Sequence, residues 1–321
     1  MRNSKLLLLL PIAALASACA PAVYKVADPA PSGLAVAGAE KVASGTLAVH
    51  DVRPVDRKVF SSGTLTAGLQ DQAGAAVDPI AYLSENLQAE LESRGFGLAV
   101  QPGGESMPRI DLRAFHMINH RSNGYAPFVT FTFLSADAHI GDSKRRIGAW
   151  VKRGKVPVWS FDEIIEPTLN QPLSIAIKEL GAKLAIHSFG AETNAGVVDG
   201  LLSKVSGDSG LDYLDVYALG FTGSPRAIDR LTELTSADDE YVRIAAISSL
   251  GIIGDVRSFD TLKAIHQGTG LWQDRGMALK SIGDLGTEEA LAYLQSVLDE
   301  IGQDTQDKDA QWSAQIIALY L

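Results

Sequence analysis

The residues with chemical potential fall into a few small groups. Cys19 is the only cysteine of the 321-residue chain, which excludes an internal disulfide framework and any all-cysteine metal site. Ser209 stands in Gly207-Asp208-Ser209-Gly210, and Ser143 follows Gly141-Asp142. A serine nucleophile needs a rigid elbow and a positioned base. The first of these lies in a glycine-rich linker and the second in a hairpin turn, so neither supports catalysis. His116 and His120 have a spacing that chelates on a helix. The surrounding alternation predicts a strand, where four residues span roughly 13 Å. Asp137 and His139 share a strand face but lack a third ligand. No glycine loop of a phosphate-binding pattern occurs. The expectation is therefore no enzyme, no metal and no cofactor. The densest cluster is basic: Lys144, Arg145, Arg146, Lys152, Arg153 and Lys155 flank Trp150 on one predicted hairpin, with Trp159 beyond. It is a candidate contact for anionic lipid phosphates, with tryptophan at the interface. The alternative is a solvated hairpin edge whose lysines discourage strand association.

The N-terminus reads as an address. Arg2 and Lys5 precede an apolar run from Leu6 to Ala16, broken only by Pro11, and Ser17, Ala18 and Cys19 close it. This is a secretory signal, too short to span roughly 30 Å of hydrocarbon. Leu15 followed by Ala16-Ser17-Ala18-Cys19 resembles the lipobox of bacterial lipoproteins, although alanine replaces the commoner leucine three positions before the cysteine. The resemblance implies that residues 1–18 are removed and that Cys19 carries lipid. Alanine at position 20, by the same resemblance, implies the periplasmic face of the outer membrane. An ordinary signal cut near Ala18 or Ala20 is the alternative. Several acyl chains hold a protein far more firmly than one. Residues 19–40 are expected to form the lipidated cysteine and a flexible Ala/Pro/Gly tether.

Residues 41–190 predict an α+β domain. Thr46 to Arg53 alternates and stops at Pro54. Asp78-Pro79 opens a helix whose Ile80, Leu83, Leu87 and Leu91 share a face, and Gly95 stops it. Short Phe96–Val100 and long alternating Arg109–Ile118, Phe128–Ile140 and Ile147–Val156 read as strands. Pro172 to Ser188 reads as a second helix. Hairpin connections predict a mixed or antiparallel sheet with helices on one face. A first strand carrying Asp51-Val52-Arg53-Pro54, an early helix closed by Arg94-Gly95-Phe96 and long alternating strands resemble the YajG-like bacterial lipoproteins. That resemblance implies binding or scaffolding in the envelope, and supplies no catalytic residues.

Residues 191–210, just after Gly190, hold four more glycines and no periodicity, so they are expected to be a linker. From 211 to 321 the chain repeats. Ala218-Leu219-Gly220, Ser249-Leu250-Gly251 and Ser281-Ile282-Gly283 recur at 31 and 32 residues, each followed by a turn and a second apolar-periodic segment. Val242-Arg243 and Asp274-Arg275 recur as well. Helix, glycine turn, helix at this period resembles short HEAT-like repeats. Ankyrin has a similar period, but its Thr-Pro-Leu-His signature is absent.

The charge is unevenly placed. The chain has 38 acidic and 28 basic residues, net -10. Residues 211–321 carry 18 acidic and 8 basic; residues 1–210 carry 20 of each. No basic footprint exists for nucleic acid. Together these features predict a membrane-anchored, non-catalytic interaction scaffold or assembly adaptor of the bacterial envelope, docking a protein partner through residues 211–321. The alternative is a lipid- or glycolipid-binding accessory of an envelope transport system.

Overall fold

In the computed structural model, residues 22–37, 44–64, 67–104, 107–121, 128–156, 165–207, 210–302 and 305–321 are described. The signal segment, Cys19, Trp159, Asp208, Ser209 and the Lys155 side chain lie outside them.

The sheet grows from three long strands, β6 (Arg109–His120), β7 (Phe128–Ile140) and β8 (Ser143–Val156), joined antiparallel. β2 (Ser44–Asp51) pairs parallel with β6 and with β5 (Gly97–Pro102). Short β3 (Ser61–Gly63) extends the same side of β6. The order is β5-β2-β6-β7-β8, so β8 is an edge strand. This is the expected mixed sheet.

Helix α1 (Pro79–Arg94) forms as its sequence dictates. The Asp78 carboxylate accepts from Ile80 N and Ala81 N (2.8 and 2.9 Å), Pro79 starts the first turn, and Gly95 ends the helix at φ 99°. Leu83, Leu87 and Leu91 are completely buried. Helix α2 (Gln171–Lys183), extended at both ends by wider turns, packs on β7 and β8.

Three expectations need correcting. Part of the tether is structured. β1 (Ala22–Lys25) pairs parallel with β4 (Ala67–Gln70), and Val26, Leu34 and Val36 are buried. The expected linker contains a helix, α3 (Ala195–Lys204), because Val198 and Leu201 find a core to enter. That burial outweighs glycine's poor helix propensity. The sheet is also not one-sided. Residues 131–138 of β7 are buried without alternation, since α2 covers one face and the C-terminal helices cover the other.

The C-terminal third is built from two-helix units. The first helices are α4 (Tyr213–Gly220), α6 (Glu240–Ile253) and α8 (Trp272–Leu285), and the second are α5 (Ile228–Leu234), α7 (Phe259–Gly268) and α9 (Glu288–Ile301), with α5 packed on α6 and both α7 and α9 on α8. Helix α10 (Lys308–Ile317) closes the array. The first helices stack side by side, α4 on α6, α6 on α8 and α8 on α10.

The recurring glycines do not make the turns. Gly220, Gly251 and Gly283 sit within the first helices, and the positive-φ turn residues are Gly223, Gly254 and Gly286. A Cβ on Gly220 would meet Ser249 Cβ at 2.5 Å, and one on Gly251 would meet Ser281 Cα at 2.5 Å. Gly220 and Gly251 therefore each seat the serine of the next repeat, and Gly283 lies against the Tyr320 ring. Ser249 Oγ donates to Val216 O (3.1 Å) and Ser281 Oγ to Ile247 O (2.9 Å). Arg243 Nε reaches Asp274 Oδ2 (2.6 Å) across the same junction.

Candidate functional site

The basic hairpin lies in the seam between the sheet and the helical array. On β8 the pleat sends Gly148, Trp150 and Lys152 to one face. A Cβ on Gly148 would strike Tyr320, Trp150 lies against Gly276, and Lys152 Nζ reaches Glu240 Oε1 (2.5 Å). Trp150 is fully buried, in a ring cluster with Phe131 and Trp272; Trp312 packs on Phe131. Arg153, on the opposite face, is held between the Tyr213 and Tyr241 rings (4.3 and 4.0 Å) and donates to Gln171 Oε1 (2.9 Å). Arg145 Nη2 donates to Asp284 O (3.2 Å). Arg146 Nε binds Asp137 Oδ1 (2.5 Å), and Lys144 Nζ lies 3.3 Å from the other oxygen. Burial alone would push Asp137 up, but the hydrogen bonds from Arg146 and Lys144 hold its carboxyl below the usual range.

A lipid-contact surface made of Lys144, Arg145, Arg146, Trp150, Lys152 and Arg153 together is thus corrected, Lys144 alone of the six being exposed. Trp150, Lys152 and Arg153 are enclosed by the array, and Arg145 and Arg146 are engaged within the protein. The hairpin pattern showed the charge but not what would cover it.

The centre of the seam is a buried ionic cluster missed at the level of sequence. Lys183 Nζ, from α2, donates to Gly148 O (2.6 Å), capping a carbonyl of the β8 edge. It also reaches Asp284 Oδ1 (2.5 Å) and the Glu179 carboxylate. Lys280 Nζ bonds Ser248 Oγ (2.9 Å) and pairs with Glu179 and with Asp284 Oδ2 (2.8 Å). The Tyr320 hydroxyl donates to Asp284 Oδ1 (2.6 Å). Burial depresses Lys183, opposed by Asp284 and Glu179; the same carboxylates overcome burial at Lys280 and raise it. Burial would also raise Asp284, but Lys183 and Lys280 hold it below the ordinary carboxylate range. Two ammonium groups thus face two carboxylates in a neutral set. The Glu179/Lys183 and Lys280/Asp284 pairs each have the spacing of four that also marks ordinary exposed helix pairs, so spacing alone does not single them out.

His50 Nδ1 and His139 Nε2 lie 3.3 and 2.9 Å from the Asp111 carboxylate, and the other histidines are held by packing or single hydrogen bonds. His116 stacks on Phe133 (5.1 Å), and burial, with Arg53 and Arg57 nearby, lowers it to about 4. His120 meets Trp312 edge-on. His187 pairs through Nε2 with Ile252 O (2.8 Å) and is likewise lowered to about 4, chiefly by burial. Among the described residues no His/Cys/Asp/Glu group is arranged to hold a metal.

The array's remaining free surface is its second helices. Asp229 on α5, Asp260 on α7, and Glu288, Glu289 and Glu300 on α9 are exposed and acidic. Toward the far ends of α5 and α7 lies an open cleft of about 660 Å³, lined by Ala237, Thr261, Ile265 and Leu271 over the Arg243–Asp274 pair. Leu271 is 44% exposed there.

Family models match this region twice. Residues 201–269 match HEAT repeats, and residues 274–300 match the PBS lyase HEAT-like repeat. The C-terminal helices are HEAT-like repeats. The chain therefore consists of an α+β sheet domain followed by a HEAT-like array. No curated protein matches it. A solved structure described as "Crystal structure of uncharacterized protein" aligns at 10% identity and TM-score 0.29, covering 52% of this chain and 98% of that one. A likeness at that level carries no argument. The repeats supply an extended interaction surface of the kind used by protein-binding scaffolds. In this chain the sheet domain takes up the stacked first helices, leaving the second helices outward.

Proposed function

We propose that the protein is a non-catalytic interaction scaffold, held at the periplasmic face of the outer membrane through lipid on Cys19, whose HEAT-like array docks a basic segment of an envelope protein. One observation carries the reading. The inner helices are packed on the sheet, while the outer helices present exposed carboxylates in their first turns and, toward the far ends of α5 and α7, an open cleft with an exposed leucine. Complementary charge speeds encounter and selects the partner, and an apolar anchor in a cleft supplies affinity. The lipobox-like segment and the lipoprotein-like order of elements support the envelope location.

Photo-crosslinking in intact envelopes tests this. A crosslinker at Asp260 should capture one defined polypeptide. The same group at Glu85, exposed on α1, should not. Charge reversal at Asp229, Asp260 and Glu289 should abolish the product, and Cys19→Ser should move the chain out of the membrane fraction. Identical products from Asp260 and Glu85, or a product surviving charge reversal, would refute docking on the outer helices.

A further inference from the structure

A second feature lies away from the array's outer surface. A cavity of about 340 Å³ is bounded by α2, by α4 and by residues 27–32. Helix α2 lines it with Gln171, Ser174, Ile175 and Lys178, and α4 with Leu214, Tyr217, Ala218 and Phe221. Both sets follow i, i+3, i+4, i+7, so one stripe of each helix faces the space. The third wall is fastened from behind. Ala27 N donates to Asn170 Oδ1 (3.0 Å), Tyr82 OH donates to Ala27 O (3.0 Å), and Ser32 N and Oγ both donate to Glu90 (2.7 Å each). The cavity is thus a fixed cleft, within the usual size range for a small ligand.

Most polar groups around it are already engaged. Gln171 Oε1 accepts from Arg153 Nη2 (2.9 Å) and Tyr213 OH (2.5 Å); Asp28 accepts from Asn86 and Glu166 from Asn170. Two are not. Among the described residues, neither the Ser174 hydroxyl nor the Lys178 ammonium has a hydrogen bond or ion pair. They stand one helical turn apart on the cavity wall. Burial depresses Lys178, with Glu90 raising and Arg94 lowering it. An ammonium half-removed from water, with no carboxylate in direct contact, leaves a place for an anion.

We propose that this cleft binds a small organic monocarboxylate with an apolar body. Lys178 pairs with the carboxylate, Ser174 donates to its second oxygen, and Leu214, Tyr217 and Phe221 cover the hydrocarbon. Asp28 and Glu166 on the same rim favour a single negative charge over a phosphate dianion. The inference stands independently of scaffold docking, which uses a different face.

The test is calorimetric and ligand-observed NMR titration of the intact chain with 4-phenylbutyrate, hexanoate, 4-phenylbutyramide and phenyl phosphate. Both carboxylates should bind, with the amide and the phosphate at least tenfold weaker. Lys178→Gln should lose at least tenfold in carboxylate affinity with an unchanged thermal midpoint, and Ser174→Ala should lose less. Lys144→Gln, a lysine outside the cleft, should bind as wild type. No binding by either acid, equal binding of the amide, or full affinity in a folded Lys178→Gln chain would overturn the proposal.

Discussion

Lys280 shows why charge type and spacing alone misplace a residue. It is fully buried, it pairs with Glu179 and Asp284, and its ammonium also meets Ser248 Oγ. Removing one member of a buried ionic set leaves the others uncompensated in a medium that solvates them poorly, typically at about 3–5 kcal/mol. Lys280→Met should therefore destabilise the chain by about that amount in urea unfolding, although methionine fits an apolar site well. Adding Glu179→Gln to that variant should recover part of the loss, because the neutralised carboxylate no longer lacks its cation. A Lys280→Met chain as stable as wild type would show that the cluster contributes nothing. The four-residue spacings could not reveal this, since the decisive partners, Glu179 and Lys280, lie about 100 positions apart. The basic hairpin was misjudged for the same reason. Lys152 and Arg153 find Glu240 and the Tyr213/Tyr241 rings only once the array folds back.

At the scale of the element, the repeat interval was legible because each unit must solve the same packing problem. The purpose of its glycine was not. Gly251 brings α6 against α8 so closely that a Cβ would lie 2.5 Å from Ser281 Cα. Alanine is intrinsically the better helix former, by about 1 kcal/mol. Overpacking at a backbone contact costs typically about 1–3 kcal/mol, and here the Ser281–Ile247 hydrogen bond is strained as well. Gly251→Ala should accordingly lower stability by about 1–2 kcal/mol. Gly200→Ala in α3, where nothing lies within 4 Å of the new Cβ, should raise it by a fraction of a kcal/mol. Thermal denaturation of the two variants separates these signs, and a stabilised Gly251→Ala chain would contradict close helix packing. Helix α1 lies at the other extreme. Its Asp78-Pro79 start, leucine stripe and Gly95 stop are all local, so its limits could be read directly. Helix α3 could not be read that way, because its stability comes from the neighbours it packs on.

Across the whole molecule, the two halves share one core. Trp150 and Phe131 from the sheet pack with Trp272 and Trp312 from the array, Ser135 Oγ donates to Leu319 O (2.6 Å), and Arg94 Nη1 reaches Phe221 O (3.1 Å). The β8 edge is covered from both halves, Lys183 of α2 donating to the Gly148 carbonyl and Tyr241 of the array to that of Gly154. An edge strand with unpaired carbonyls and large aromatic residues beside it is a template for association. A chain ending at Gly210 should therefore not keep a native sheet domain. It should bind a hydrophobic dye and self-associate. In the full chain, tryptophan fluorescence reports chiefly on the seam and far-ultraviolet circular dichroism on the helices, so their urea midpoints should coincide. A dispersed, dye-negative fragment with its own cooperative transition would show that the halves fold independently. The same coupling shapes how the scaffold would work. With the inner helices fixed to the sheet, the array cannot flex as a free solenoid, and its outer helices meet a partner as a preorganised surface with little ordering left to lose on binding.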